Sequence, residues 1–191
     1  MTQVKVCGLM TEADVALVNA LRPDLVGFVL AVGRHQKTTA EVLSLAKQVA
    51  PGIRRVAVVV APDFDQLAVL ASAGAIDTVQ FHRPATLAQV QQARALGLQT
   101  IARIAADAPR TLADVALVDA GDGSGETLDW RALPVLAQPL MLAGGLDATN
   151  VAQAIALVHP AIVDASSRLE TGGAKDPAKV AAFIAAARNA E

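Results

Sequence analysis

With 191 residues, 53% of them hydrophobic and 18% charged, the chain can bury one substantial core and is too apolar for disorder, so one domain spanning 1–191 is expected. Its formal charge of −2 comes from interspersed residues, without a Lys/Arg run, which argues against nucleic acid or a membrane as partner. No apolar run reaches the ~18 residues of a membrane helix, the stretch from Met1 to Cys7 lacks a secretion-signal layout, lone Cys7 excludes an internal disulfide, and three scattered histidines lack zinc-ligand spacing. A soluble cytoplasmic protein with no tightly held metal is the expectation.

Short β-branched runs alternate with longer Ala/Leu-rich amphipathic segments from end to end, the pattern of a parallel sheet built from strand-helix units. The first strand is predicted over Gln3 to Cys7, and Thr11 with Asp14 has capping-box spacing at the start of a helix. The second strand, Leu25 to Leu30, is followed by a second capping box at Thr38 and Glu41. The third, Arg55 to Val60, precedes a helix capped by Asp63. The fourth, Ile76 to Phe81, leads to a box at Thr86 and Gln89, and Gly97 ends that helix in the left-handed conformation.

The fifth and sixth strands, Gln99 to Ile104 and Val115 to Val118, leave room for only short helices, over Ala105 to Leu112 and Trp130 to Ala137. The seventh strand, Pro139 to Leu142, runs into Gly144 and Gly145, with Asp147 before the helical segment Asn150 to Val158. The eighth, Ala161 to Val163, runs into Ser166 and Ser167, and Asp176 followed by Pro177 opens the last helix. Eight units in one short α/β domain predict a single-domain (β/α)8 barrel, a TIM barrel, in preference to an open doubly wound sheet.

In such a barrel the active site lies where strands end, and phosphate commonly binds after the seventh and eighth. Gly144 and Gly145 would let the backbone approach an anion, and Ser166 and Ser167 would offer hydroxyls and amides. Each pair has an alternative, an ordinary tight turn and an ordinary helix cap. Cys7 ends the first strand beside Gly8, so its thiol is either a small core residue or a base at the rim. Arg34 and His35 follow the second strand, Gln80 and His82 lie at the fourth, Arg103 at the fifth, and Asp119 and Asp129 around the sixth.

Arg34 reads as an anion contact or as a solvated cation. His82 reads as a hydrogen-bonded interior histidine with no chemistry assigned. Asp129 reads as a solvated helix cap or as a general acid, the second requiring burial to lift its pKa well above ~3.9.

The motifs Lys5-Val-Cys-Gly-Leu9, Val79-Gln-Phe-His82, Gly123-Ser-Gly-Glu-Thr-Leu-Asp-Trp130, Leu142-Ala-Gly-Gly-Leu146 and Val163-Asp-Ala-Ser-Ser167 together resemble the phosphoribosylanthranilate isomerases of tryptophan biosynthesis. The resemblance implies a cofactor-free barrel, monomeric or homodimeric, that converts a phosphorylated small molecule, N-(5-phosphoribosyl)anthranilate, to the aminoketose by an Amadori rearrangement. It implies Cys7 as general base, Asp129 as general acid, Gly144, Gly145, Ser166 and Ser167 as phosphate contacts, and Arg34 as the anthranilate contact. The chain departs from that family's pattern at Ala61, Arg83, Glu126 and Arg168. Two other readings compete: a non-catalytic phosphate-ligand binding barrel, and the related isomerase of histidine biosynthesis, whose first strand resembles one ending in aspartate rather than cysteine.

Overall fold

Because alternate residues of a strand face opposite ways, a strand covered on both sides must be apolar on both, and the eight central strands meet that demand by closing on themselves. The computed structural model describes residues 1–104, 110–119, 129–133, 136 and 138–190. In chain order the strands are β1 (Gln3–Cys7), β2 (Leu25–Val29), β3 (Arg54–Val59), β4 (Thr78–Phe81), β5 (Gln99–Arg103), β6 (Val115–Asp119), β7 (Leu140–Ala143) and β8 (Ile162–Ala165). All are parallel and each pairs with the next. The pairing of β1 with β8, which sets Lys5 opposite Asp164, closes the barrel.

Helices α1 (Glu12–Leu21), α2 (Thr39–Ala46), α3 (Phe64–Ser72) and α4 (Leu87–Ala95) follow the first four strands, α5 (Val151–Val158) follows β7, and α6 (Pro177–Arg188) completes the ring. All three capping boxes form: Thr11, Thr38 and Thr86 each accept a backbone N–H three residues on, whose side chain returns the bond. Asp63 and Asp176 cap α3 and α6, and Gly97 takes a φ of 77° just past α4. Such a cap contributes ~1 kcal/mol.

One start falls later than the sequence suggests. Asp147 accepts from the Thr149 amide, and α5 begins after Asn150. The Asn150 side chain instead donates to the Gly145 carbonyl at 2.9 Å and accepts from the Asp147 amide. The glycine turn after β7 is thereby pinned to the helix that follows it.

Of the two short helices expected, the fifth falls partly on 105–109, outside the described residues. The described part of the sixth is a 3-10 turn, Trp130–Ala132. No helix among the described residues is long and apolar enough to cross a membrane.

The outward faces of the strands, with Val4, Val6, Phe28 and Val79, pack against helix residues such as Val18, Leu70 and Phe183. Burying each large side chain of this kind contributes about 1.5–3 kcal/mol. The inward faces form a second cluster in the lumen, with Leu25, Val56, Val58, Ile101, Leu117, Met141 and Ile162 beneath Cys7. Past β8 a small antiparallel hairpin, β9 (Glu170–Thr171) with β10 (Ala174–Lys175), leads into α6.

Candidate active site

Above the apolar floor of the lumen, where the strands end, lies a cavity of about 240 Å³. Its wall joins Cys7 of β1 to Gly144 and Gly145 after β7 and to Ser166, Ser167 and Arg168 after β8. Gly144 and Gly145 take successive positive φ values of 92° and 67°, a conformation that suits glycine.

Ser166 donates its hydroxyl to the Cys7 carbonyl at 3.1 Å, tying the loop after β8 to the end of β1. Gly8 makes room for that join: at φ 77°, a Cβ there would stand 2.9 Å from Ser166 Oγ and 3.2 Å from the His35 ring. Only glycine fits both the conformation and the space.

Period-two geometry carries Gln80, His82 and Asp119 to the same cavity. Asp119 ends β6 with its side chain 11% exposed, and its carboxylate lies 3.5 Å from His82 Nε2. Gln80 Oε1 is buried and without a hydrogen-bond partner among the described residues.

Below Cys7, Lys5 points inward from the same strand and is fully buried, donating to Asp164 Oδ2 at 2.8 Å. Burial pushes the Lys5 ammonium down, but the charge and hydrogen bonds of Asp164 and Cys7 outweigh it and hold its pKa above the ordinary value. For the Cys7 thiol the balance falls the other way. Burial pushes it up more than Lys5 pulls it down, with Asp164 adding to the rise and Lys175 opposing it.

A hub of charged side chains backs the loop after β8. The Glu170 carboxylate accepts from Lys175 Nζ at 2.7 Å, from His35 Nε2 at 2.8 Å and from the Arg34 guanidinium. Burial raises this carboxyl, but the Lys175 hydrogen bond and the charges of Lys175, His35 and Arg34 hold it below the usual range. His35, which lines the cavity, is pushed below its ordinary value by burial despite the pull of Glu170. Since an ionised carboxylate only accepts, the imidazole meets Glu170 by donating from Nε2.

The description "N-(5'phosphoribosyl)anthranilate (PRA) isomerase" matches residues 4–186. The chain is 43% identical over 191 residues to the N-(5'-phosphoribosyl)anthranilate isomerase of Lacticaseibacillus casei, covering 98% of this chain and 96% of that one. It is 34% identical over 200 residues to the Listeria monocytogenes enzyme of the same name, covering 98% and 99%. The chain belongs to the N-(5'-phosphoribosyl)anthranilate isomerase family. Among solved structures, TrpF from Jonesia denitrificans superposes with a TM-score of 0.87 at 31% identity, covering 100% of this chain and 98% of that one. The Thermus thermophilus phosphoribosyl anthranilate isomerase does so with 0.87 at 25% identity and complete coverage of both.

Of the site residues expected from sequence, the isomerase fold brings Cys7, Gly144, Gly145, Ser166 and Ser167 onto one cavity. Arg34 is not part of its lining: it is 58% exposed and paired with Glu170, while its neighbour His35 reaches the wall. Asp129 does not line the cavity. It is exposed and caps the 3-10 turn by accepting from the Arg131 amide at 3.1 Å, so it lacks the burial that an acid role there would need.

Lys5, Asp164 and Glu170 were not among the residues expected at the site. Counting back by twos from Cys7 marks Lys5 as inward-facing, but nothing local in sequence announces Glu170, which lies 136 residues from Arg34.

Proposed function

We propose that the chain carries out its family's reaction, the Amadori rearrangement of N-(5'-phosphoribosyl)anthranilate to 1-(2-carboxyphenylamino)-1-deoxyribulose 5-phosphate, with Cys7 as general base and Asp119 as general acid. The observation that carries the acid assignment is position. Asp119 and Cys7 share one cavity wall, three strands apart around the barrel, whereas Asp129 is exposed beside a turn.

The phosphate docks on the amides of the Gly144-Gly145 turn and on Ser166 and Ser167, with Arg168 beside them as a charged contact. The anthranilate lies toward the end of β2, where Arg34 is the expected carboxylate contact once it exchanges Glu170 for substrate. The sugar then spans the lumen mouth, where Gln80 Oε1 offers an acceptor to a hydroxyl.

In the first step Asp119 delivers a proton to the furanose ring oxygen as the C1–O bond breaks, and nitrogen donates its pair to form a protonated Schiff base. In the second, the Cys7 thiolate removes the proton from C2, and the C2–H electrons flow toward the cationic nitrogen to give an enolamine. Ketonisation returns a proton to C1 and releases one from the C2 hydroxyl. Two groups on separate strands suit this sequence, since one step gives a proton to oxygen and the next takes one from carbon.

The test is conversion of freshly made phosphoribosylanthranilate, followed by loss of its fluorescence, in Cys7→Ser, Asp119→Asn and Asp129→Asn. Losses of at least ~100-fold in kcat are expected for the first two and a change within a few fold for Asp129→Asn. Equal activity of Asp119→Asn and wild type, with loss in Asp129→Asn, would return the acid role to Asp129. A folded wild type that binds the product without forming it would instead be a phosphate-ligand binding barrel.

A further inference from the structure

A lysine in the middle of a barrel is expensive, and nothing in packing asks for it. Lys5 is among the largest fully buried side chains of the described residues and the charged one among them, seated with the apolar lumen residues. A methionine or leucine would fill that space without the desolvation cost, and a buried ion pair is often no more stable than an apolar replacement. Its place in the strand supplies a reason: Lys5 and Cys7 face the same side two residues apart, with the ammonium one layer beneath the thiol. We propose that Lys5 is a positioning residue for the Cys7 base, its ammonium anchored on Asp164 so that it faces the sulfur and stabilises the thiolate that removes the substrate's proton. This rests on the reading of Cys7 as the base.

Three further observations support it. The ammonium has three donors and gives one to Asp164 Oδ2, which leaves its charge and its other donors uncommitted on the side of the sulfur. Asp164 Oδ1 is buried without a partner among the described residues, so the carboxylate is arranged to hold Lys5 from one side and is not saturated for its own sake. The opposing strand is cut away at Gly27, where a Cβ would stand 2.6 Å from Cys7 Sγ and 3.3 Å from Lys5 Nζ. Sulfur and ammonium thus share the space that a side chain at Gly27 would take.

The charges acting on the thiol come from three elements: Lys5 on β1 and Lys175 on β10 favour the thiolate, and Asp164 on β8 disfavours it. Asp119, His82, His35 and Arg168 line the same cavity. Of the cations acting on the thiol, Lys5 opposes the effect of burial most strongly.

Cys7 is the chain's single cysteine, so thiolate absorbance near 240 nm and iodoacetamide alkylation rates against pH report on it alone. These are measured in the intact enzyme for wild type, Lys5→Met and Lys5→Arg, beside kcat-pH profiles. Lys5→Met is expected to raise the thiol midpoint by about one pH unit or more, to lower kcat about tenfold or more at neutral pH, and to regain rate as pH rises. Lys5→Arg is expected to restore most of the wild-type midpoint. Should Lys5→Met fail to fold, Lys5→Gln, which keeps a donor for Asp164 without the charge, carries the same expectation. An unmoved midpoint overturns the proposal, as does a raised midpoint with wild-type kcat. Retention of activity in Cys7→Ser would overturn the base assignment itself, and would be seen separately because the thiol titration does not depend on turnover.

Discussion

Gly27→Ala adds one methyl group to the wall of β2, at a strand position facing Cys7. The new Cβ would lie 2.6 Å from Sγ, 3.3 Å from the Cys7 Cα and 3.3 Å from Lys5 Nζ. Ordinary contact between such atoms is ~3.5 Å or more, so the sulfur must retreat by roughly 1 Å. Lumen neighbours such as Met141 and Leu25 close the way toward the barrel floor, so the sulfur is driven up into the cavity it lines. Overpacking of this kind costs about 1–3 kcal/mol, and in a chain of this size each kcal/mol lowers Tm by roughly 2–4 °C.

A base displaced by ~1 Å costs on the order of 100-fold in rate, while the phosphate contacts are untouched. The signature is therefore a large fall in kcat with KM within a few fold of wild type, and Tm lower by roughly 3–10 °C. Fluorescence-monitored steady-state kinetics and a thermal melt in one buffer suffice. Wild-type kcat and Tm in Gly27→Ala would show that the sulfur does not occupy this niche, and the geometry drawn for Cys7 and Lys5 would fall with it.

Replacing Glu170 by Gln leaves buried Lys175 without its carboxylate and is expected to cost about 3 kcal/mol at neutral pH. Because the folded carboxyl sits below its ordinary value, that contribution is complete above the unfolded pKa of ~4.3 and is lost as pH falls through the lower folded value. Denaturant melts should therefore show the gap between wild type and Glu170→Gln steady from pH 7 to about pH 5 and narrowing below ~pH 4; a gap that widens in acid would contradict the sign. Thr100→Val removes a fully buried hydroxyl that donates to Asp114 at 2.7 Å and accepts its amide at 3.1 Å. Tm should drop by a few degrees, at about 1–3 kcal/mol, with kcat unchanged because Thr100 sits at the start of β5, away from the cavity. Arg168→Ala should raise KM about tenfold, the worth of one charge-assisted contact, and weaken inhibition by inorganic phosphate while sparing kcat.

Much of this molecule is readable one segment at a time, because caps and strands are local. Thr11 with Asp14, or Thr86 with Gln89, specify a helix start through atoms three residues apart, and Gly97 needs only its own left-handed φ. The turns proposed to hold phosphate are legible for the same reason, as small residues directly after an apolar run.

What sequence hides is direction and distance. Asp119 and Asp129 are both acids beside a strand, and only the inward register continued from Leu117 separates the one in the cavity from the one in solvent. The eighth strand continues to Ala165, beyond the Val163 expected, and so turns Asp164 from a loop residue into the inward partner of Lys5. The meeting of Arg34 and His35 with Glu170 leaves no trace in either segment. It exists only because the loop after β2 and the hairpin after β8 emerge at the same end of the barrel.

The join between β1 and β8 has a temporal meaning as well. Cys7, the proposed base, and Lys5 lie on β1, whereas the carboxylate anchoring that lysine and the serine bonded to the Cys7 carbonyl each arrive 159 residues later. A chain emerging from the ribosome, or refolding from its N-terminus, can assemble its first six strands and still hold a thiol with no anchored cation and no phosphate seat. Contacts so distant in sequence bear the largest loop-closure cost and form late. Turnover thus begins only when the last strand docks, so activity regained during refolding would time the closure of the ring.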